Sequence, residues 1–569
     1  MKRLVFPGLT LLGLTLLMAG CVGSRREEPA VTPAPTDPSV PQFADVTESA
    51  GIRFRQGLDG KRPLTILEST GSGCGFLDYD SDGRLDLLLV GQPRCALYRN
   101  EGEGRFRDVT LEVGLNREGF WIGCGAGDFD NDGRTDLFIT GYQTCALYRN
   151  TVQAGAVRLV DVTRSAGIRA GGFQTSCAFT DLDRDGFLDL YIARYVRFGP
   201  DEPQYCRSSD GKVLRTCGPD VYEAEKGSFY RNRGGGRFED ATRRWGFDSA
   251  HGKAWGVAVG DIDDDGRPDL YVANDEMPGD LFHNRGDRVS NIGAMSGTAY
   301  AREGSVQGGM GADFGDYNND GRLDLVVTNF WMEPNSLYRN DGARLFSEVS
   351  PAVGLMETTR RFVGFGVRLM DVDLDGALDL FFANGHVQDT LEVDPEQGMP
   401  ELMQLFLNRS GRYVDVSRQA GAPFSKPLVG RGAAAGDWDN DGDLDLAVID
   451  MEGSARLLRC DQPPSRRTAH HWIQVRALTA GPTPREALGA RVTVESGGVR
   501  RIREVQTSGS VLSSQEPRAH FGLGDLGGKS TLDRVRVRWP DGSQIELKDV
   551  PVDRLLTVRQ GATSTGTDQ

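Results

Sequence analysis

The stretch DYDSDGRLDLLLV, residues 78–90, decides the fold. Its pattern, D-x-[DN]-x-D-G-x-x-D-L, begins at Asp78, Asp128, Asp181, Asp261, Asp316, Asp371 and Asp437, at intervals of 50, 53, 80, 55, 55 and 66 residues. Seven matches of this length define a repeat rather than a coincidence. Oxygens at positions 1, 3 and 5 of a tight loop converge on one point, and glycine at position 6 permits the sharp turn. An all-oxygen donor set without Cys or His selects a hard cation. A flexible loop with several carboxylates favours Ca²⁺ over Mg²⁺.

Up to seven structural Ca²⁺ ions are therefore expected. The candidate ligands are Asp78, Asp80, Asp82 and Asp86; Asp128, Asp130, Asp132 and Asp136; and Asp181, Asp183, Asp185 and Asp189. They continue with Asp261, Asp263, Asp265 and Asp269; Asp316, Asn318, Asp320 and Asp324; Asp371, Asp373, Asp375 and Asp379; and Asp437, Asp439, Asp441 and Asp445. Position 7 is Arg84, Arg134, Phe187, Arg267, Arg322, Ala377 or Asp443, a variety that points to a role for its backbone carbonyl alone. An EF-hand would need Glu at position 12, where this chain has Leu89, Ile139, Ile192, Val272, Val327, Phe382 and Val448. Each loop instead runs into an apolar, β-branched stretch that reads as a strand.

Around each loop lies a larger unit. A small-residue strand such as GCGAGDFD or GRGAAAGDWD precedes it; a third strand ends in ALYRN, SFYRN or SLYRN; a fourth carries F-x-D-V-T or a relative. Four antiparallel strands in about 50 residues make a propeller blade, with the Gly-rich strand at the crowded axis. Fourth strands occur at Phe106, Leu159, Phe238, Val289, Phe346 and Tyr413. None follows the seventh loop, yet FADVT at Phe43 precedes the first. The N-terminal strand is thus expected to complete the seventh blade and remove the open edge. The repeats resemble FG-GAP/VCBS repeats, the calcium-loop blades also seen in integrin α-subunit heads, over residues 43–462.

Residues 470–560 lack the acidic loop. WIQVRAL, ARVTVES, VRRIREVQ, RVRVRWP, QIELKDV and RLLTVRQ are short runs that predict a small all-β domain. HHWIQV, LGARVTV, SSQEPRAHFGLG and VRVRWPDGS resemble the ASPIC/UnbV domain of the cartilage-acidic-protein-like family. Residues 561–569 read as a disordered tail. At the other end, a basic start and the apolar run 4–17 precede Met18-Ala19-Gly20-Cys21, which resembles a bacterial lipoprotein signal (residues 1–20) with Cys21 as the lipidated residue. Residues 21–42 are Pro-rich and read as a tether, and the expected location is the bacterial cell envelope, outside the cytoplasm.

The chain of 569 residues carries 65 Lys+Arg against 81 Asp+Glu, which argues against nucleic acid as a partner. The four ligand positions of the seven loops alone hold 27 of those acids, and seven Ca²⁺ would bring the processed chain from −18 to −4. Cys206 and Cys217 sit in the long insertion 195–226 and are disulfide candidates. Cys74, Cys95, Cys124, Cys145, Cys177 and Cys460 allow pairing either within or between blades. His470-His471 reads as surface, and Arg285-Gly286-Asp287 as a turn.

Two function classes remain. One is a calcium-stabilised binding or adhesion module that recognises a glycan or protein partner. Its ligand face would be the one opposite the acidic loops, where the insertions 195–226 and 384–403 and Phe330-Trp331-Met332 gather. The bland reading of those insertions is that they cap the ring or pack on the C-terminal domain. The alternative function is a propeller enzyme acting on an extracellular carbohydrate or other small substrate through carboxylate acid–base residues in a central pocket. No G-x-S-x-G or H-E-x-x-H motif is present.

Overall fold

The computed structural model describes residues 39–57, 62–208, 210–388, 398–467 and 469–562. The expected signal peptide, Cys21, most of the tether, residues 563–569 and part of the sixth-blade insertion lie outside them. Seven four-stranded antiparallel sheets follow one another along the chain. In the first blade the strands are Cys74–Leu77, Asp86–Leu89, Ala96–Gly102 and Arg105–Asp108, from axis to rim. In the seventh, Gly430–Gly436, Asp445–Asp450 and Arg456–Asp461 are completed by the N-terminal Gln42–Asp45, with Phe43 opposite Cys460. The ring therefore closes by strand pairing between the two ends of the propeller. The expected tether is shorter than read, because Val40 is already buried in the core of the last blades.

One side chain per blade links it to its neighbour. The asparagine that ends the third-strand motif donates through Nδ2 to a carbonyl just inside the previous blade's acidic loop. Asn100 reaches Trp438 O at 2.8 Å, Asn150 reaches Tyr79 O at 2.7 Å, and Asn232 reaches Phe129 O at 2.8 Å. Asn284, Asn340 and Asn408 reach Leu182 O, Ile262 O and Tyr317 O, each at 2.8 Å. In the seventh blade Cys460 takes the asparagine's place, and Gln462 makes the link instead, to Val372 O at 2.7 Å. Each of the six asparagines also donates to a carbonyl of its own blade, as Asn340 does to Leu323 O at 3.1 Å.

The C-terminal domain folds as two sheets over one apolar core. Ala519–Gly524, His471–Leu478 and Arg554–Arg559 form the first. Val499–Glu504, Arg491–Ser496, Thr531–Arg538 and Gln544–Pro551 form the second. Val475, Val492, Phe521, Val537 and Trp539 pack between them.

Between Glu504 and Ala519 the chain leaves this domain and enters the propeller channel. There it bonds to all seven blades. Ser514 N donates to Cys74 O (2.9 Å), Cys124 N to Leu512 O (3.0 Å), Leu512 N to Ser176 Oγ (2.7 Å) and Gly509 N to Val257 O (3.1 Å). Ala312 N donates to Ser510 O (3.1 Å), Val367 N to Ser510 Oγ (3.2 Å) and Ala435 N to Gln515 Oε1 (2.9 Å). A methyl group on Gly73 would lie 1.7 Å from Leu512 O, and one on Gly432 would lie 2.5 Å from Ser513 Oγ. The glycines of the inner strands thus make room for this plug as well as for each other.

The ring links predict a specific cost. Replacing Asn340 by Ala leaves two buried carbonyls without donors and should lower stability by about 2 kcal/mol, since each orphaned buried group costs about 1–3 kcal/mol. Denaturant unfolding beside an Arg339→Ala control, which removes a half-exposed side chain, measures it.

Candidate functional site

The seven acidic loops share one backbone design. Position 1 accepts the N–H groups of positions 5 and 6, as where Asp82 N and Gly83 N donate to Asp78 at 3.1 and 2.9 Å; in the sixth loop Asp371 accepts from Gly376 N, at 2.9 Å, and its Oδ1 accepts nothing. Position 5 accepts the N–H of position 7, as in Arg84 N to Asp82 Oδ1 at 3.0 Å. Position 9 is the anchor. Asp86 Oδ2 accepts from Tyr79 N (3.1 Å) and its Oδ1 from Asn100 N (2.8 Å), so one carboxylate ties the loop to the third strand. Its equivalents Asp136, Asp189, Asp269, Asp324, Asp379 and Asp445 are equally buried. Glycine at position 6 has φ between 82° and 97° in every loop. Position 4 is left-handed too, at Ser81, Asn131, Arg184, Asp264, Asn319, Leu374 and Asn440, a requirement that the mixed residue types there conceal.

In the first four loops the carboxylates of positions 1, 3 and 9 each place an oxygen within 4.8 Å of the others, as Asp78, Asp80 and Asp86 do. These groups suit a metal ion on a second count. Asp80 Oδ1, Asp130 Oδ1, Asp263 Oδ1 and Asp373 Oδ1 at position 3 are buried without a hydrogen bond, while the other oxygen of each faces a basic residue. A buried carboxylate oxygen that accepts nothing is costly unless a cation completes it. Burial drives the position-9 carboxyls up, Asp86 to about 8 and Asp136 to about 9, with neighbouring carboxylates adding to the rise.

The copies differ in ways that matter. Position 7 does more than present a carbonyl: Arg84, Arg134, Arg267 and Arg322 each donate Nε to a third-strand carbonyl and pair with the position-5 aspartate. In the fourth loop His283 stands where other blades have arginine, with Nε2 3.1 Å from Asp263 Oδ2. In the fifth, Asn318 turns its amide to Asp320 at 3.1 Å.

The C-terminal domain sits on this loop face. Arg518 donates to Gly83 O (3.1 Å), Arg485 to Gly186 O (2.7 Å), Arg501 to Gly376 O (3.1 Å) and His520 to Gly442 O (2.8 Å). Arg538 pairs with Asp261 at 3.0 Å, and Arg491 with Asp264 at 2.8 Å. The domain carries 14 Lys+Arg against 10 Asp+Glu in residues 470–560, the opposite sign to the loops it covers. His470 and His471 bond to Asp373 O and Asp553. Arg285-Gly286-Asp287 lies on the turn between Asp280–Asn284 and Val289–Asn291.

The channel that a central-pocket enzyme would need is filled by residues 507–516. The sequence signal for this plug was its run of small residues, TSGSVLSSQ, which matches the small-residue strands it touches. The described residues of the insertions lie on the other face, where Tyr195, Cys217 and Tyr222 share a core with the plug tip, Val511 and Leu512. Cys206 and Cys217 form a disulfide there. The remaining six described cysteines are buried thiols.

On that face the plug tip, Val511 and Leu512, packs beneath Ile66, Trp255, Met310 and Phe365. Above it lies a cavity of about 280 Å³ walled by Tyr195, Trp255, Phe330 and Phe365, with Asp275 and Glu276 at its side. Tyr195 and Trp255 have ring centroids 4.7 Å apart, and Trp255 and Phe365 lie 5.6 Å apart, edge to face. Tyr195 OH donates to Asp275 Oδ2 at 2.6 Å; burial raises the Asp275 carboxyl to about 7.

Comparison with known proteins agrees with this anatomy. The family model described as FG-GAP-like repeat matches residues 78–139, 128–192, 217–272, 261–327, 316–382 and 371–448, and the ASPIC and UnbV model matches residues 481–565. Human cartilage acidic protein 1 is 27% identical over 393 residues, covering 68% of this chain and 53% of that protein. The Xenopus tropicalis protein of the same name is 29% identical over 302 residues, covering 50% and 42%. The chain spans about half the length of these relatives. Among solved structures, an Agrocybe aegerita lectin that recognises non-reducing terminal N-acetylglucosamine overlaps 69% of this chain and 94% of its own at 13% identity and a TM-score of 0.39. The exotype rhamnogalacturonan lyase YesX overlaps 85% and 82% at 14% identity and a TM-score of 0.34. Overlaps this loose carry no functional argument.

The carboxyl shifts set a pH dependence. Raised above their unfolded value of 3.8, the buried loop carboxyls keep protons that the unfolded chain releases. The metal-free fold therefore has its full share of this stability below about pH 4 and loses it as pH rises through about 8 to 9. A metal ion replaces those protons. The gap in melting temperature between metal-loaded and chelated protein should widen from pH 5 to pH 8, as thermal unfolding in matched buffers would record.

Proposed function

Because the chain belongs to the FG-GAP-like repeat family and carries an ASPIC and UnbV domain, we propose that it is a calcium-stabilised binding module of the cell envelope that captures a glycan or protein partner on the face opposite the acidic loops. One observation carries this reading. The C-terminal domain covers the loop face and its plug fills the channel, so the insertion face is where loops, aromatic rings and a cavity remain accessible together.

Calcium is the ion that suits the loops best: the donors are all carboxylate or amide oxygens, and the loops are single chain segments with several charges. The four carboxylates of Asp78, Asp80, Asp82 and Asp86 would hold it in the first copy, with the equivalent residues in the others. Bound, it offsets the repulsion among those charges and favours the closed loop; the chain's own residues position it through the position-9 anchor. Extracellular sites of this type bind at about 10⁻⁴–10⁻³ M, which suits a structural ion rather than a signal. The basic start, apolar run and Cys21 support a lipid anchor, and no helix among the described residues is long and apolar enough to cross a membrane.

Three outcomes follow from this reading. Chelation should lower the melting temperature and added Ca²⁺ should restore it, which scanning calorimetry checks; equal melting with and without chelator contradicts the calcium assignment. Deleting residues 199–218 should abolish capture of a partner by an otherwise folded chain. Cys21→Ser should release the protein from the membrane fraction.

A further inference from the structure

We propose that the insertion-face cavity holds a single pyranose ring, the end or branch residue of a glycan. The proposal rests on the reading that this face carries the ligand and names the chemistry that it recognises.

The cavity's walls are amphipathic in the way that a sugar ring is. Tyr195, Trp255, Phe330 and Phe365 offer aromatic surface, against which the C–H face of a pyranose can pack. Around them stand polar atoms of both kinds. Trp255 is 4% exposed, and its Nε1–H interacts with Asp275 and the Tyr195 hydroxyl without reaching good hydrogen-bond geometry. Gln388 Oε1, also lining the cavity, is buried and accepts none. Asp275 engages Tyr195 through Oδ2, and Glu276 stands beside it at φ 54°, a left-handed backbone uncommon for a long side chain. A buried donor that is poorly matched and a buried acceptor that is unmatched point to a ligand able to accept and donate, and a hydroxyl does both.

Two other ligand classes fit less well. An organic ammonium would use the carboxylates and the rings, but it has no acceptor for the Trp255 N–H. It would also face positive charge behind the wall, where Arg431 lies 4.1 Å from the Phe365 centroid, fully buried and bonded to backbone carbonyls. A purely apolar ligand would strand Asp275, Glu276 and Gln388 out of water. The volume, about 280 Å³, lies just below the range of about 300–1,000 Å³ typical of drug-sized ligands and suits one ring. The plug tip, Val511 and Leu512, packs against the wall residues Trp255, Met310 and Phe365 from behind, so the C-terminal domain supports the cavity from the far side of the ring.

The test titrates the Ca²⁺-loaded full chain with methyl pyranosides of glucose, galactose, mannose, rhamnose and N-acetylglucosamine, and with choline chloride as the cationic comparison. Tryptophan fluorescence and saturation-transfer NMR report binding. At least one pyranoside should bind, and Trp255→Phe, which keeps an aromatic ring but removes the N–H, should weaken it about tenfold. Glu276→Gln, at an exposed side chain, should weaken it as well and guards against a folding defect in the first variant. If no pyranoside binds, or if binding is unchanged in both variants, the proposal is overturned. Choline binding in place of every sugar overturns it too. If a partner is still captured through residues 199–218 without competition from any pyranoside, the sugar assignment fails while the binding-face reading stands. If that deletion leaves partner capture intact, the broader reading fails.

Discussion

The structure depends on one buried carboxylate per blade. Asp86 and its six equivalents each accept a backbone N–H of the third strand, six of the seven also close their acidic loop, and they stand among two or three further carboxylates. Water cannot solvate them there, and hydrogen bonds satisfy only part of their capacity. The geometry is stable when either protons or a cation complete it. The same loop carries the carbonyl that the next blade's asparagine grips, so the condition of one loop bears on the join between two blades. In a ring built this way a loosened loop weakens the link to its neighbour as well as its own turn, so an ion held in a loop would act on closure too.

The C-terminal domain is the second half of that logic. Its arginines bind loop carbonyls, and those that pair with carboxylates meet the fourth loop, where Arg538 and Arg491 engage Asp261 and Asp264. Its plug is bonded to each inner strand in turn, which makes the channel a joint rather than a site. Propellers often use the channel mouth on one face for chemistry or binding. Here one mouth is covered and the channel occupied, and what remains is the opposite mouth, with the plug tip packed beneath its aromatic rings. The loop face is committed to contacts with the C-terminal domain, and the insertion face stays open.

The architecture was legible because the acidic pattern is a local rule repeated seven times, and because the stray FADVT at Phe43 could only be the missing outer strand. The candidate ligands were equally legible, since position, spacing and residue type are properties of one short segment. The asparagine latch was visible as a motif, YRN, without a meaning: its partner lies about 70–100 residues upstream in most blades, and 338 away for Asn100. Position 7 hid its role behind variety, because only four of the seven copies carry the arginine whose Nε reaches the third-strand carbonyl. Position 4 hid a left-handed backbone behind seven residue slots filled by Ser, Asn, Arg, Asp and Leu.

The sequence by itself determined the blade, the count of blades, the closure and the acidic loops, because each follows from residues near one another or from a repeat that counts itself. The tertiary structure alone decided that a small-residue segment of the C-terminal domain occupies the channel, that the domain's basic side chains cap the acidic loops, and that four aromatic rings from separate blades meet above the plug. Those facts concern which distant surfaces are complementary in shape and charge. Glycine at 73 or 432 announces a close approach, but only the folded ring supplies Leu512 or Ser513 as the group that approaches.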